Sequence, residues 1–196
     1  MKELTSVDIN DIRVVNSSLC FLEISLVSGG YLNSNLISML FENIDLIDHH
    51  ALFKIYGTWN TLISNTKFVN IFNAKSILIL EKVMAFNTKN TTFLDIKTSS
   101  GDFKSYLNVK LIGSLISTSA SRLTFENCNF HEIISPAIYS QYSQFTILHS
   151  SFKNTQNSHQ IISKRYSSLL VTESGPFLID NVTFSGFIGF NGAVKL

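Results

Sequence analysis

The chain has 196 residues and a formal net charge of +1; 45% of its residues are hydrophobic and only 15% charged, where about a quarter is usual for soluble proteins. So much hydrophobicity with so little charge excludes intrinsic disorder. A balance of 15 Lys+Arg against 14 Asp+Glu, with no basic run, argues against a nucleic-acid partner or an anionic membrane surface.

No apolar stretch approaches the roughly 20 residues of a spanning helix, so no membrane span is expected in this chain. The first residues, Met1-Lys-Glu-Leu-Thr-Ser6, lack the apolar core of a signal peptide. Ser and Asn together supply nearly a quarter of the sequence. Two cysteines, Cys20 and Cys128, form no C-x-x-C pair and read as buried free thiols.

The predicted elements are short strands that repeat. Along the chain a pattern h-x-h-x-N-x-x-F-x-x-I emerges faintly at Asn16-Ser-Ser-Leu19 and then in Phe41-Glu-Asn43-Ile-Asp-Leu46. It is fuller in Leu62-Ile-Ser-Asn65-Thr-Lys-Phe68-Val-Asn-Ile71 and in Asn90-Thr-Thr-Phe93-Leu-Asp-Ile96. After a marginal copy at Asn108-Val-Lys-Leu111, the clearest copy is Leu123-Thr-Phe-Glu-Asn-Cys-Asn-Phe-His-Glu-Ile133. Phe145-Thr-Ile-Leu-His149-Ser-Ser-Phe152 replaces the Asn by His, and Phe177-Leu-Ile-Asp-Asn181-Val-Thr-Phe184-Ser-Gly-Phe187 closes the series.

Anchors at 43, 65, 90, 108, 127 and 149 differ by 22, 25, 18, 19 and 22 residues; the next step, to 181, is 32 and places a loop insertion within 153–176. A longer match supports the period: residues 115–127 align without gaps on residues 137–149.

Alternation of period two with Phe and Ile at the apolar positions predicts strands. Two strands and polar turns per unit describe a parallel β-helix of about eight coils, a single segment over 1–196. An antiparallel sandwich would need hairpin dipeptides throughout, and Asn191-Gly192 is the only one of the Asn-Gly or Asp-Gly kind.

In such a fold equivalent residues stack about 4.8 Å apart. Phe68, Phe93, Phe130, Phe152 and Phe184 are expected to form an internal aromatic column, extended by Ile71, Ile96, Ile133 and Phe187. Asn43, Asn65, Asn90, Asn127 and Asn181 are expected at corners, where Asn tolerates the left-handed conformation and can pair with the Asn above and below. Asp48, Asn70, Asp95, Glu132 and Asn154 are expected to point outward in one line. An oxygen-rich column of this kind could accept calcium or sugar hydroxyls, so these five are the candidate ligand residues and calcium the candidate cofactor. The sequons at Asn16, Asn90 and Asn181 point weakly to secretion.

The repeats resemble those of right-handed parallel β-helix proteins of the pectin-lyase-like superfamily. The tail Phe184-Ser-Gly-Phe-Ile-Gly-Phe-Asn-Gly-Ala-Val194 is similar to the F-x-x-N … G-G-A-I repeat of polymorphic outer-membrane proteins and large protist surface proteins. Phe187 stands where that pattern has Asn, and Asn191 where it has the first Gly. The resemblance implies a solenoid, and it implies clustered Asp with Arg, Lys or His if the chain is an enzyme.

No Asp-Asp pair or Asn-Thr-Asp motif occurs, and Arg13, Arg122 and Arg165 lie far apart. If Asn108 anchors a coil, Asp95 and Glu132 would be nearly 10 Å apart, too far for paired acid–base work. His49 and His50 beside Asp48 would face opposite sides of a strand. The expectation is therefore a non-catalytic structural or adhesive module of a cell-surface or secreted protein, cut from a longer solenoid, with carbohydrate or other surface proteins as partners. The alternative is a carbohydrate-active enzyme, a polysaccharide lyase or glycoside hydrolase, of the same superfamily.

Overall fold

The computed structural model describes residues 4–18, 22–25, 31–46, 51–99, 102–104, 110–134, 136–154, 170–173, 175–186 and 194–195. The chain visits three strands in turn and then starts again. The first turn holds β1 (Leu4–Asn10), β2 (Arg13–Ser17) and β3 (Leu22–Ser25); the second β4 (Tyr31–Ile37), β5 (Leu40–Asp45) and β6 (Ala51–Tyr56); the third β7 (Asn60–Ser64), β8 (Lys67–Phe72) and β9 (Ser76–Glu81). The fourth has β10 (Ala85–Lys89) and β11 (Thr92–Lys97), an antiparallel hairpin of β12 (Asp102–Lys104) and β13 (Lys110–Ile112), and β14 (Ser114–Ser119). The fifth contains β15 (Arg122–Glu126), β16 (Asn129–Ile134) and β17 (Ile138–Gln141); the sixth β18 (Gln144–Leu148), β19 (Ser151–Lys153) and β20 (Leu170–Glu173); the last β21 (Phe177–Asp180), β22 (Thr183–Ser185) and β23 (Val194–Lys195).

First, second and third strands of successive turns pair in parallel, giving sheets A, B and C of seven strands each. This all-β arrangement, with no helix among the described residues, is that of a parallel β-solenoid.

Three recurring left-handed residues bend the chain. Between sheets A and B stand Asp11, Ser38, Asn65, Asn90, Asn127, His149 and Asn181; between C and the next A stand Gly57, Lys82, Ala120 and Tyr142; within sheet B stand Asn16, Asn43, Asn70, Asp95, Glu132, Asn154 and Gly186, all with positive φ. Asn and Asp dominate the first and third sets because they occupy this region at little cost. At Gly186 a Cβ would also crowd the Asn154 side chain.

The residue after a corner is often a hydroxyl or thiol that donates back to the carbonyl two residues earlier: Thr66 to Ser64 (3.0 Å), Thr91 to Lys89 (3.0 Å), Ser150 to Leu148 (2.7 Å), Ser121 to Ser119 (2.8 Å) and Ser143 to Gln141 (2.9 Å). Several also accept a backbone N–H from the preceding turn, as Ser150 does from Cys128 (3.1 Å).

Among the described residues a continuous aromatic column runs through the interior. Phe41, Phe68, Phe93, Phe130 and Phe152 are fully buried, and Phe184 continues the column in the last turn. Consecutive ring centroids are 5.3, 4.9, 5.0, 4.3 and 5.1 Å apart and nearly parallel. Ile44, Ile71, Ile96 and Ile133 form the adjoining column; Phe187 lies outside the described residues. The aromatic column is the one expected from the repeat, lengthened by Phe41. The match of residues 115–127 to 137–149 is likewise the observed register, with Ile116 opposite Ile138 and Leu123 opposite Phe145.

Three expectations require correction. Each turn has three strands, not two: sheet C escapes a period-two search because β9 and β14 are buried at every position, and strands covered on both faces lose their alternation. Asn43 is not in the corner column: it stands within sheet B beside Asn70, and Ser38 holds the corner of that turn. No turn begins at Asn108, which lies outside the described residues between β12 and β13; β16 pairs directly with β11. Most of the stretch 153–176, where an insertion is expected, also lies outside the described residues.

Candidate functional site

Four of the five expected ligand residues, Asn70, Asp95, Glu132 and Asn154, occupy the left-handed column of sheet B, with Asn43 in line beyond Asn70. Asp48 lies outside the described residues, as do His49, His50, Cys20, His159 and Arg165.

Asp95 and Glu132 sit on neighbouring strands, because Leu94 pairs with His131 and Ile96 with Ile133. The separation of nearly 10 Å is therefore corrected to one strand spacing, about 4.8 Å. The amides beside them are committed to ladder bonds: Asn70 Nδ2 donates to Asn43 Oδ1 at 2.9 Å, and Asn154 Nδ2 lies 3.3 Å from His131 Nε2. Among the described residues no group of three or more His, Cys, Asp or Glu converges as a metal site.

The corner column is similarly occupied. Asn90 Nδ2 donates to Asn65 Oδ1 (3.3 Å), and Asn181 Nδ2 meets His149 Nδ1 at 2.9 Å. The nitrogens that glycosylation of those two sequons would modify are thus already hydrogen-bonded within the fold.

Ion pairs decorate the outer faces of sheets A and B: Lys89 with Glu126 at 2.8 Å and Arg13 with Glu42 at 3.7 Å. The Lys89 ammonium, by hydrogen bond and by charge, holds the Glu126 carboxyl below its ordinary value. Cys128 is buried, and burial pushes its thiol up to about 11.

A second surface emerges only in three dimensions. Where sheet C hands over to sheet A, Trp59 (46% exposed), Met84 (58%) and Tyr142 (62%) crowd the corners of different turns. Tyr31 meets Trp59 edge-to-face at 4.8 Å.

Beside them runs a groove. One part, of ≈ 530 Å³, is lined by Asn33, Trp59, Asn60, Met84, Ala85 and Arg122. The other, of ≈ 400 Å³, shares Met84 and Arg122 and continues to Tyr142, Gln144, Gly175 and Pro176. Its wall is tight at Gly175, where a Cβ would overlap the Ser143 carbonyl. Sequence reasoning missed this groove because Trp59 and Met84 stand 25 residues apart in no repeat motif, yet flank each other once β7 pairs with β10. The chain's only Trp, next to a turn, was the one available signal.

No family model, no curated protein and no solved structure matches the chain.

Proposed function

We propose that the chain is a non-catalytic structural or adhesive module of a cell-surface or secreted protein, built as a right-handed β-helix of the pectin-lyase-like kind. The handedness follows the strong preference of crossovers between parallel strands in one sheet. One observation supports the rod-like role above others: an unbroken Phe stack inside, from Phe41 to Phe184, with side-chain amide ladders outside. Such a body holds its shape through nearest-neighbour contacts and presents long, low-charge faces. The test is display of the chain on beads, with detachment force measured against cells and polysaccharide-coated surfaces, alongside assays for release of reducing ends or unsaturated uronides. Adhesion without turnover supports the reading.

The exposed Asp95 and Glu132 stand on neighbouring strands about 4.8 Å apart, and this favours the alternative, a carbohydrate-active enzyme, since adjacent strands can bring two acids within reach of one glycosidic bond. Turnover abolished by both Asp95→Asn and Glu132→Gln would replace the adhesive reading with this one. The same pair is where calcium would bind. Millimolar calcium should then raise the melting temperature, and Asp95→Asn should remove the rise; no shift in the parent chain removes calcium from consideration.

A further inference from the structure

The six junctions between turns follow one hydrogen-bonding rule, and the two end turns keep its unmatched halves. At each junction the left-handed residue between sheets A and B donates its N–H to a carbonyl of the next turn. Asn127 does so to Leu148 at 3.2 Å and His149 to Asp180 at 3.1 Å. The residue two places on donates back to the turn before, as Ser151 does to Cys128 and Thr183 to Ser150, both at 3.0 Å. In the last turn this series stops at the Asn181 N–H and the Val182 carbonyl. In the first it starts at the Asn10 carbonyl and the Arg13 N–H. A last turn laid on a first turn would therefore set donor against acceptor at both places.

The apolar columns are cut in the same way. Phe145, Ile147 and Phe152 are fully buried, but the residues after them in the last turn are not: Phe177 is 40% exposed, and Ile179 and Phe184 are half-buried. At the other end Val7, Ile9 and Val14 are half-buried, whereas Leu36 and Phe41 of the second turn are fully buried. Register assigns the two sets to the same columns, Phe177 with Val7, Ile179 with Ile9 and Phe184 with Val14. In sheet C, position Lys195 falls in the column of Glu23, the glutamate that Lys54 meets at 3.9 Å one turn in, so unlike charges come together. A featureless apolar partner would cover the exposed rings and leave the strand-edge groups unpaired. A second copy supplies both, in the spacing already used at every junction.

We propose that the last turn of one chain stacks on the first turn of a second copy, continuing all three sheets across the seam. The contact joins unlike surfaces along one axis, so it does not close and extends into a linear filament. It goes beyond the adhesive reading, because it sets how long the rod is and not what the rod holds. The test blocks one end at a time. Arg13→Pro removes the N–H that faces Val182 across the seam; at the first position of β2, with that N–H turned away from the second turn, the ring leaves the backbone bonds of the folded chain in place. Ile179→Lys puts a charge on the other end, on a side chain long enough to reach past the open edge. In sedimentation velocity between about 1 and 300 μM the parent chain should grow with concentration into species beyond the dimer. Each variant alone should stay monomeric, its association weakened roughly tenfold or more. Mixed one to one, the two variants should form a dimer and nothing longer, since each keeps the intact end that the other needs.

Circular dichroism confirms that each variant is folded, and Val14→Lys blocks the same end as Arg13→Pro should the proline variant fail to fold. A parent chain that stays monomeric throughout, a folded variant that still forms long species alone, or a mixture that stays monomeric overturns the proposal. None of these results bears on the adhesion assay above, and loss of adhesion leaves the seam intact.

Discussion

Cys128 follows a corner at the place where Thr66, Thr91 and Ser150 stand in other turns, and its thiol reaches the Glu126 carbonyl at 3.5 Å as their hydroxyls reach theirs. The role is structural, a donor that closes the corner, so Cys128→Ser should change stability by less than about 1 kcal/mol in urea melts. With its thiol pushed up to about 11 by burial, Cys128 should resist a thiol reagent at about pH 8 in a Cys20→Ser background, reacting at the rate of unfolding. Ser150→Ala removes both a donor and the acceptor of the Cys128 N–H, a loss of about 1–3 kcal/mol.

Glu126 gives a pH-dependent counterpart. Its folded value is depressed, chiefly by the hydrogen bond and charge of Lys89. The pair therefore contributes stability above the ordinary glutamate value and loses it as pH falls through the folded value. Lys89→Met should move the Glu126 carboxyl titration upward in an NMR pH series. These side-chain roles were only partly legible in the sequence: Asn at corners could be read from its backbone preference, whereas a Cys standing in for Ser required the register.

At the scale of the strand, the Phe column is the firmest agreement between sequence and structure. A residue that repeats at one pleat position on the same strand of every turn has one place to go, the interior. Phe130 lies mid-stack, 5.0 Å from Phe93 and 4.3 Å from Phe152 between ring centroids. Phe130→Ala should cost about 3–5 kcal/mol in denaturant melts, and Phe130→Leu less. The strands of sheet C were illegible for the opposite reason. Ser76–Glu81 and Ser114–Ser119 present apolar and hydroxyl residues to both faces, all buried, so no period marks them. Position Asn43 shows how a local pattern misleads: two kinds of left-handed Asn, at corners and within sheet B, look alike until pairing separates them.

The whole molecule is a stack in which each turn touches its neighbours, so stability should follow the number and quality of turns. Asn43 and Asn70, bonded one turn apart, are separated by 27 residues. Removing residues 39–65 joins Ser38 to Thr66 with every column preserved, and the shortened chain should fold with the same β-type circular dichroism and a lower melting temperature. Removing about half that length should abolish folding, because it sets strands of different sheets against one another.

The charge-poor, Asn- and Ser-rich composition and the Phe spacing determined by themselves that this chain is a parallel solenoid with an aromatic core, since those signals are local and repeat along the chain. Only the tertiary structure decided that a turn has three sheets, that Asp95 and Glu132 are neighbours, and that Trp59, Met84 and Arg122 share a groove. Each of these depends on which strand lies beside which, and interrupted turns such as the one carrying the β12–β13 hairpin hide that pairing from any count of residues.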